Sequence, residues 1–463
     1  MKPDTTRDRF GFDWTGIPGT LPWRKPHLSR RVFFRHLSTA LGGYMLLPSR
    51  PMETVARGAS PIAKAKFCVF VLMNGGAAHT DTFDLKQGAW LPAAFQPTPY
   101  DGVLFPKGLF PRLAEQMSTV ALARSVKSWA AVHELGRNWI QIGRNPTAST
   151  ARIAPHIGSV VSLELTQPGQ ILPSFMALNT GDNIPGAGYL TPQHAPFFVN
   201  PGGGGLGNTT HRDGQPAFDR RYDLLMRLDA DERARPDLGP GPSEMAQFNL
   251  AAKGLMYNPN VDRVFTFAND ERVRYGNNGF GNACIAARNL IRSGLGTRFV
   301  MINVGGWDNH AGIYGGALNP SNANSLGRQF DLALATLMTD LKQSNHLEET
   351  LIVCMGEFGR TVGAPNSTAG RDHFLQQAVM FAGAGIRGPK TVGSTDALGT
   401  QTSEPGWSRA RDIRAEDIEA TIYSALGIDW MTVRRDDPLG RGFEYVPFSS
   451  SQDLYGPLHE LWG

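Results

Sequence analysis

The stretch FCVFVLM at residues 67–73, followed by the glycine turn NGG at 74–76, determines the fold. Seven consecutive apolar residues that end at a turn are typical of a strand buried on both faces, as in parallel sheets. Similar runs recur along the chain, at STVALA (118–123), FMAL (175–178), RFVMINV (298–304), TLIVCMG (350–356) and QAVMFAG (377–383). Helical patterns lie between them, at 134–142, 154–165, 280–293 and 324–343. This alternation predicts an open, mostly parallel α/β sheet with helices on both faces and ligands bound at the carboxyl ends of its strands.

The chain of 463 residues divides into a leader and one large domain. Residues 1–60 are predicted as the leader and residues 61–463 as the α/β domain. The alternation of strands and helices is interrupted at about 180–265, where four consecutive glycines and the run RPDLGPGPSE occur. We expect this stretch to be an inserted, loop-rich segment or cap.

Composition excludes nucleic acid as a partner. The formal charge is only +4, much of the excess lies in the first 57 residues, and no basic, aromatic-interleaved stripe follows. The chain is 41% hydrophobic and 19% charged, as in a globular protein. Its three cysteines cannot all pair, and Cys68 and Cys354 stand within apolar runs, so we expect core thiols rather than a disulfide framework.

The leader contains SRRVFFRHLSTALGGYMLLPS at residues 29–49, which has the pattern of a twin-arginine export signal. Its apolar run is about half the roughly 20 residues that cross a bilayer. We therefore expect the chain to be exported, already folded, by the twin-arginine machinery and to work in the periplasm. The best cleavage site, GAS at 58–60, is a weak match, which leaves open a retained leader that tethers the protein to the membrane or to a protein partner.

Histidines and carboxylates cluster directly after the predicted strands. The strand at 67–73 is followed by GGAAHTDTFD, that at 298–304 by GGWDNH, and that at 350–356 by EFGR and then GRDH. Each motif alone is more typical of a turn or a hydrogen-bonded loop than of a metal ligand. Together, at one sheet edge, they predict a site for one or two divalent ions, Zn, Mn, Mg or Ca. The candidate ligands are His79, Asp81, Asp308, His310, Glu357, Asp372 and His373.

Two arginines flank these carboxylates. Arg360 and Arg371 can grip an anionic small-molecule substrate through bidentate contacts, or can pair with Glu357 and Asp372. The sequence leaves both interpretations open.

The leader and the motifs GGAAHTDTFD, GGWDNH, GEFGRT, GRDH and GSTDALG, in this order, resemble the bacterial family called domain of unknown function 1501. That family is grouped with the alkaline phosphatase and sulfatase-like superfamily. The resemblance implies an alkaline phosphatase-like α/β/α sandwich that holds one or two divalent metals at the sheet edge and hydrolyses phosphate or sulfate esters. The family itself has no generally established reaction.

The resemblance also assigns a catalytic segment. HELGRNWIQIGRNP at 133–146 is similar to the sulfatase helix that begins with a Cys or Ser nucleophile and has an arginine four residues later. Arg137 matches that arginine, but His133 stands at the nucleophile position, where it implies a metal ligand, a nucleophile or a general base. Glu357 and Phe358 stand where the superfamily has Asp and His. Hydroxyls that remain as substitute nucleophiles are those of Ser125, Ser128 and Thr80.

Two functions follow from this pattern. The first is an exported metal-dependent hydrolase of a phosphate or sulfate ester that lacks the usual Ser, Thr or Cys nucleophile, with His133 and Arg137 facing the substrate. The second is a non-catalytic relative that serves as a binding or assembly subunit of an exported or membrane-associated complex. The absent hydroxyl nucleophile and the replacement by Phe358 favour the second function.

Overall fold

The computed structural model describes residues 60–181, 184–239 and 241–462. The predicted twin-arginine leader lies outside these described residues.

A central eight-stranded sheet organises the described part of the chain. Its strands are, in chain order, β1 Phe67–Met73, β2 Val120–Lys127, β3 Phe175–Leu178, β4 Phe197–Val199, β5 Phe299–Val304, β6 Thr350–Met355, β7 Gln376–Gly383 and β8 Lys390–Val392. Across the sheet they follow the order β8-β2-β7-β6-β1-β5-β3-β4. All the neighbouring pairs are parallel except the two that β7 makes, with β2 and with β6. The predicted α/β fold with a mostly parallel sheet is therefore confirmed.

Helices cover both faces of the sheet. The helices of seven or more residues are α1 His133–Ile142, α2 Ile157–Leu165, α3 Gln215–Leu228, α4 Gly241–Leu255, α5 Pro259–Phe265, α6 Gly279–Ser293, α7 Leu326–Gln343 and α8 Ala415–Ala425. Shorter α-helices span Pro111–Ala114, Ala230–Arg233, Asn269–Arg274 and Ser449–Gln452. Short antiparallel pairs join Pro97–Tyr100 to Val103–Pro106, Gly359–Arg360 to His373–Phe374, Ser394–Thr395 to Thr402–Glu404, and Val433–Arg434 to Phe443–Glu444.

The side chains of β1 alternate between two hydrophobic cores, as the period of a strand requires. Val69 and Val71 belong to the core that also contains residues of α6 and α7. Phe70 and Leu72 belong to the opposite core, which contains residues of α2 and α8. This arrangement makes a three-layer α/β/α sandwich and explains why every residue from 68 to 73 is apolar.

The segment predicted as an inserted loop or cap has more regular structure than its glycines and prolines suggested. Within 180–265 the structure describes β4, which pairs with β3 at one end of the sheet, and helices α3, α4 and α5. No residue of α3 or α4 is buried.

The three cysteines agree with the expectation of core thiols. Cys68, Cys284 and Cys354 are free and buried, as expected of core thiols. Among the described residues, none of the helices combines the length and the apolar character that crossing a bilayer requires.

An ionic network joins Asp340 of α7 to Arg288 of α6 and to Arg274 and Tyr275, which precede α6. Asp340 accepts hydrogen bonds from both terminal nitrogens of Arg274 (2.7 and 2.6 Å), from Arg288 Nη1 (2.7 Å) and from the hydroxyl of Tyr275 (2.7 Å). Burial by itself raises the pKa of the Asp340 carboxyl, but these hydrogen bonds outweigh it and lower the pKa to about 2. The network therefore stabilises the charged carboxylate.

We expect Asp340→Asn to lower the free energy of unfolding by about 2–3 kcal/mol at pH 7, because it removes the negative charge that two arginines share. The pKa of Asp340 is lower in the folded chain than in the unfolded one, so this contribution is present above about pH 4 and is lost as the pH falls towards 2. Urea unfolding at pH 7, 5, 4 and 3 would measure it.

The exposed pair between Lys66 and Glu349 provides the matched control. Glu349→Gln should change stability by less than about 1 kcal/mol, as is usual for surface ion pairs. Equal effects of the Asp340 and Glu349 substitutions would contradict the role given to the network.

Candidate metal centre

The candidate centre lies beyond the carboxyl ends of β1, β5 and β6. Asp308 and His310 follow β5, and His133 is the first residue of α1, which follows β2. His373 lies in the short hairpin that follows β6. The segments are close because glycine permits it: a Cβ on Gly370 would lie 1.9 Å from the carbonyl carbon of His310. The sheet edge thus brings together residues that are up to 240 positions apart, counted from His133 to His373.

Imidazole nitrogens converge on the Asp308 carboxylate. His133 Nε2 lies 3.3 Å from Asp308 Oδ2, and His310 Nε2 lies 2.9 Å from Asp308 Oδ1. His373 Nε2 lies 3.6 Å from Asp308 Oδ1 and 3.2 Å from His310 Nε2. One ligand atom each from His133, Asp308 and His373 lie within 4.8 Å of one another, so these three residues can hold a metal ion.

Each of these imidazoles is oriented through its other ring nitrogen. His133 Nδ1 is 2.7 Å from Glu357 Oε1, His310 Nδ1 is 2.7 Å from an oxygen of Asp372, and His373 Nδ1 is 2.9 Å from the carbonyl oxygen of Ala131. A carbonyl or carboxylate oxygen can only accept, so Nδ1 carries the hydrogen in each ring. In the neutral rings the Nε2 lone pairs then face the cluster, as in the carboxylate–histidine–metal arrangement of metalloproteins.

Glu357 and Asp372 therefore lie behind the histidines rather than among the converging atoms. Glu357 is fully buried, and its two oxygens accept from the backbone N–H of Gly75 at 3.0 and 3.2 Å. Gly75 has φ +112°, and a Cβ there would lie 2.4 Å from the backbone nitrogen of Asp308, so glycine is required. Asp372 is exposed and also accepts from the side-chain amide of Asn366 at 3.2 Å.

Asp308 is held in its charged form. Partial burial raises the pKa of its carboxyl, but the hydrogen bond and charge of Arg360 lower that pKa below its usual range. Arg360 Nη2 lies 2.5 Å from Asp308 Oδ1. At neutral pH the cluster therefore presents an anionic oxygen next to imidazole nitrogens.

His79 and Asp81 do not enter this group. They lie in the short 3-10 helix His79–Asp81, where both are buried. His79 Nε2 is 2.9 Å from the carbonyl oxygen of Gly399, and burial lowers the pKa of the ring. Asp81 accepts from Arg371 Nε at 2.7 Å and from the hydroxyl of Tyr314 at 2.8 Å. These contacts give no support to the prediction that the two residues are metal ligands.

The two arginines predicted to grip a substrate are buried and already bonded. Arg371 is 0% exposed and contacts Asp81, Tyr314 and the carbonyl oxygen of Thr361. Arg360 is 1% exposed and contacts Asp308. Their ion-pair partners are thus Asp81 and Asp308, not Glu357 and Asp372 as one alternative predicted. This burial argues against direct contact between either guanidinium and a substrate.

Arg137 faces open space. Its Nε donates to the carbonyl oxygen of His133 at 3.3 Å, one turn earlier in α1, and its side chain lines a cleft of about 690 Å³. The cleft also contacts Asn74 and Asn303 at the carboxyl ends of β1 and β5, where ligand binding was expected.

Several contacts of the centre could not be inferred from sequence motifs. Phe358 is fully buried, and its ring centroid lies 4.9 Å from that of His133 and 4.6 Å from that of His373, so it packs against both imidazoles. The carbonyl of Ala131 and the amide of Asn366 orient His373 and Asp372. A contact made by a backbone carbonyl cannot be predicted from residue type, because every residue has one. Asn366 lies in a loop segment whose residue types indicate no particular function.

The geometry fits a divalent cation. Two ligand atoms about 2.1 Å from one tetrahedral ion lie roughly 3.4 Å apart, close to the 3.3 Å between His133 Nε2 and Asp308 Oδ2. His133 Nε2 is also buried without a hydrogen-bond partner among the described residues. An unpartnered lone pair beside a carboxylate is the environment that a cation satisfies.

A family model described as "Protein of unknown function (DUF1501)" matches residues 65–446. No curated protein matches the sequence. Similar solved structures include a sulfatase from Pseudoalteromonas sp., at 13% identity and TM-score 0.38, covering 80% of this chain and 68% of that one. An alkaline phosphatase from the Antarctic bacterium TAB5 has 16% identity and TM-score 0.33, covering 71% of this chain and 93% of that one. At such scores these similarities identify no reaction for this chain.

Proposed function

The chain belongs to the DUF1501 family of proteins of unknown function, and on that premise we propose that it is an exported, metal-dependent hydrolase of a phosphate or sulfate ester. The observation that carries the proposal is the convergence of His133, Asp308 and His373, with His310 beside them. In each histidine ring, Nδ1 is hydrogen-bonded to an oxygen acceptor, which fixes the orientation of the ring. Preorganised imidazoles around one carboxylate suit a metal better than any purely structural role.

Imidazole-rich donor sets favour Zn²⁺ over Mn²⁺, Mg²⁺ and Ca²⁺, which prefer oxygen ligands. We therefore propose Zn²⁺ as the ion. A divalent cation in this place would supply Lewis-acid stabilisation of the negative charge that develops on an ester oxygen. The residues that would hold it are His133, Asp308 and His373.

Arg137 is our candidate for binding the anionic substrate. Only its Nε is bonded within the described part of the chain, so the two terminal nitrogens can donate to an anionic oxygen in a bidentate contact. The cleft that Arg137 lines has room for the organic group of the ester. Arg360 and Arg371, being buried and bonded, would instead position the segments that carry the histidines.

The hydroxyls considered as substitute nucleophiles have other partners or are buried. Ser125 donates to the carbonyl oxygen of Pro405 at 2.7 Å, and Ser128 donates to that of Glu357 at 3.0 Å. Thr80 is fully buried. These positions support attack by water rather than by a side-chain hydroxyl.

The alternative, a non-catalytic binding or assembly subunit, is favoured by one observation. Large apolar side chains are exposed on α3 and α4, including Leu224, Leu228, Met245 and Leu250. An exposed apolar surface of this kind often marks a contact with a partner.

Metal analysis combined with a substrate panel separates the two functions. The purified full chain should contain a stoichiometric divalent ion by inductively coupled plasma mass spectrometry and should hydrolyse a nitrophenyl phosphate or sulfate. A His133→Ala variant should lose both properties. Metal without turnover would favour the binding subunit, and metal-free, inert protein would contradict the hydrolase.

Export is a separate part of the proposal and rests on the sequence of the leader alone. Fractionation of a bacterial host should find the full chain in the periplasm or at its membrane. In a host without the twin-arginine translocase it should stay in the cytoplasm. Cytoplasmic location in both hosts would refute export.

Glu357→Gln should weaken metal binding by about 10- to 100-fold, the usual cost of losing a partner behind a ligand. The glutamine NH₂ cannot accept from Gly75 N–H, and a neutral amide makes the His133 imidazole a poorer donor to the metal. Competition with a chromophoric chelator would measure the change in affinity.

Glu416→Gln is the matched control for this substitution. Glu416 is also buried, but it accepts from the indole N–H groups of Trp129 and Trp139 rather than from a histidine. Its replacement should leave metal affinity unchanged. An equal loss in both variants would point to a general structural effect.

A further inference from the structure

The guanidinium group of Arg360 is surrounded by five acceptor atoms, one of which is Oδ1 of Asp308. Arg360 Nε donates to the carbonyl oxygen of Gly76 at 3.0 Å, and Nη1 donates to that of Arg371 at 3.0 Å, with His310 Nε2 at 3.4 Å. Nη2 donates to the carbonyl oxygen of Gly75 and to Asp308 Oδ1. Arginine has five N–H groups, so each has a partner and the guanidinium is saturated.

These acceptors are also the atoms that a second metal ion would need. A carboxylate oxygen, an imidazole nitrogen and backbone carbonyl oxygens are ordinary ligands of divalent cations. All of them are directed instead at a permanent positive charge that is 1% exposed and fixed by the backbone. The guanidinium thus fills the position on the Oδ1 side of Asp308.

Asp308 connects the two positions. Its Oδ2 lies 3.3 Å from Nε2 of His133, within the group that can hold a metal. Its Oδ1 contacts Arg360 and His310, and Nε2 of His373 lies farther from it, at 3.6 Å. One carboxylate is therefore shared between the metal position and a built-in cation, as a bridging carboxylate is shared between two metals.

We infer that Arg360 is the second cation of this centre, and that the centre consequently takes one metal ion and not two. The inference rests on the proposed metal site. It assigns Arg360 a positioning and charge-supplying role and removes it from direct substrate binding.

Titration of the metal-free full chain with Co²⁺, followed by visible absorption and by equilibrium dialysis, tests the inference. Wild type should bind one Co²⁺ per chain. Arg360→Lys, which keeps the charge, should also bind one. Arg360→Met, which is neutral and frees Asp308 Oδ1 and His310 Nε2, should bind a second Co²⁺, with circular dichroism as the control for folding.

Each outcome distinguishes this inference from the proposed function. Two Co²⁺ ions per wild-type chain would overturn the inference and leave the metal centre standing, as would a folded Arg360→Met variant that still binds one. Wild type that binds none would overturn both. If Arg360→Met does not fold, the number of Co²⁺ ions bound by wild type and by Arg360→Lys decides. One ion per chain in both proteins supports the inference, and two ions per chain in either protein refutes it.

Discussion

Asp308→Asn should reduce the affinity of the chain for a divalent ion by more than about 1,000-fold, or about 4 kcal/mol. Asp308 supplies the only carboxylate among the three residues that can hold an ion, and its charge is maintained because Arg360 keeps the pKa of its carboxyl low. The loss should exceed the 10- to 100-fold cost of removing an outer partner such as Glu357. Mass spectrometric metal analysis after dialysis, with chelator competition for the affinity, would measure it.

Asp372→Asn is the control for that result. The chemical change is the same, Asp372 is similarly exposed, and it also contacts His310, but its oxygens lie behind the imidazole. Its replacement should weaken metal binding by no more than about 10-fold. A folded Asp308→Asn protein with undiminished metal content would show that the ion binds elsewhere.

The meeting of Asp308, His310 and His373 was predictable from sequence. Each follows an apolar run that reads as a buried strand, and parallel strands present their carboxyl ends at one edge. The position of His133 was predictable only through the resemblance of α1 to a sulfatase helix. Without that resemblance, a histidine at the start of a helix carries no signal.

The sequence did not predict which carboxylate would face the converging imidazoles and which would hydrogen-bond to the far side of a ring. Glu357 and Asp308 are both carboxylates that follow strands, yet Glu357 is held under a glycine turn by Gly75 N–H. Which of the two faces the cluster depends on the backbone path after each strand. Residue type and spacing do not encode that path.

His79 and Asp81 belong to a similar motif, but the structure places them in contacts with Gly399 and Arg371 rather than in the converging group. The loop after β1 contains the short 3-10 helix His79–Asp81. The side chains of His79 and Asp81 are buried there and do not join the group beside Asp308. Glycine-rich motifs at strand ends therefore predict where a site lies better than they predict which residues bind.

Asp81→Asn should cost about 3–5 kcal/mol of folding free energy, because it leaves the Arg371 guanidinium charged, buried and without its carboxylate. Both side chains are 0% exposed, and two nitrogens of Arg371 lie 2.7 and 3.1 Å from Asp81 oxygens. Below its melting temperature, however, the variant should still bind one divalent ion, because Asp81 does not join the converging atoms. Urea unfolding and metal analysis on the same preparation would measure both quantities.

Two further variants make this result decisive. The pair of Arg434 and Asp436 has the same chemistry closer to the surface, with side chains 26% and 58% exposed, so Asp436→Asn should cost less than about 1 kcal/mol. The double variant Asp81→Leu with Arg371→Met should recover much of the lost stability, since replacing a buried ion pair by apolar groups is often neutral. If Asp81→Asn instead kept its stability and lost its metal, Asp81 would be a ligand, as its motif predicts. If Asp81→Asn loses stability and keeps its metal, the ion pair stabilises the fold and Asp81 is not a ligand.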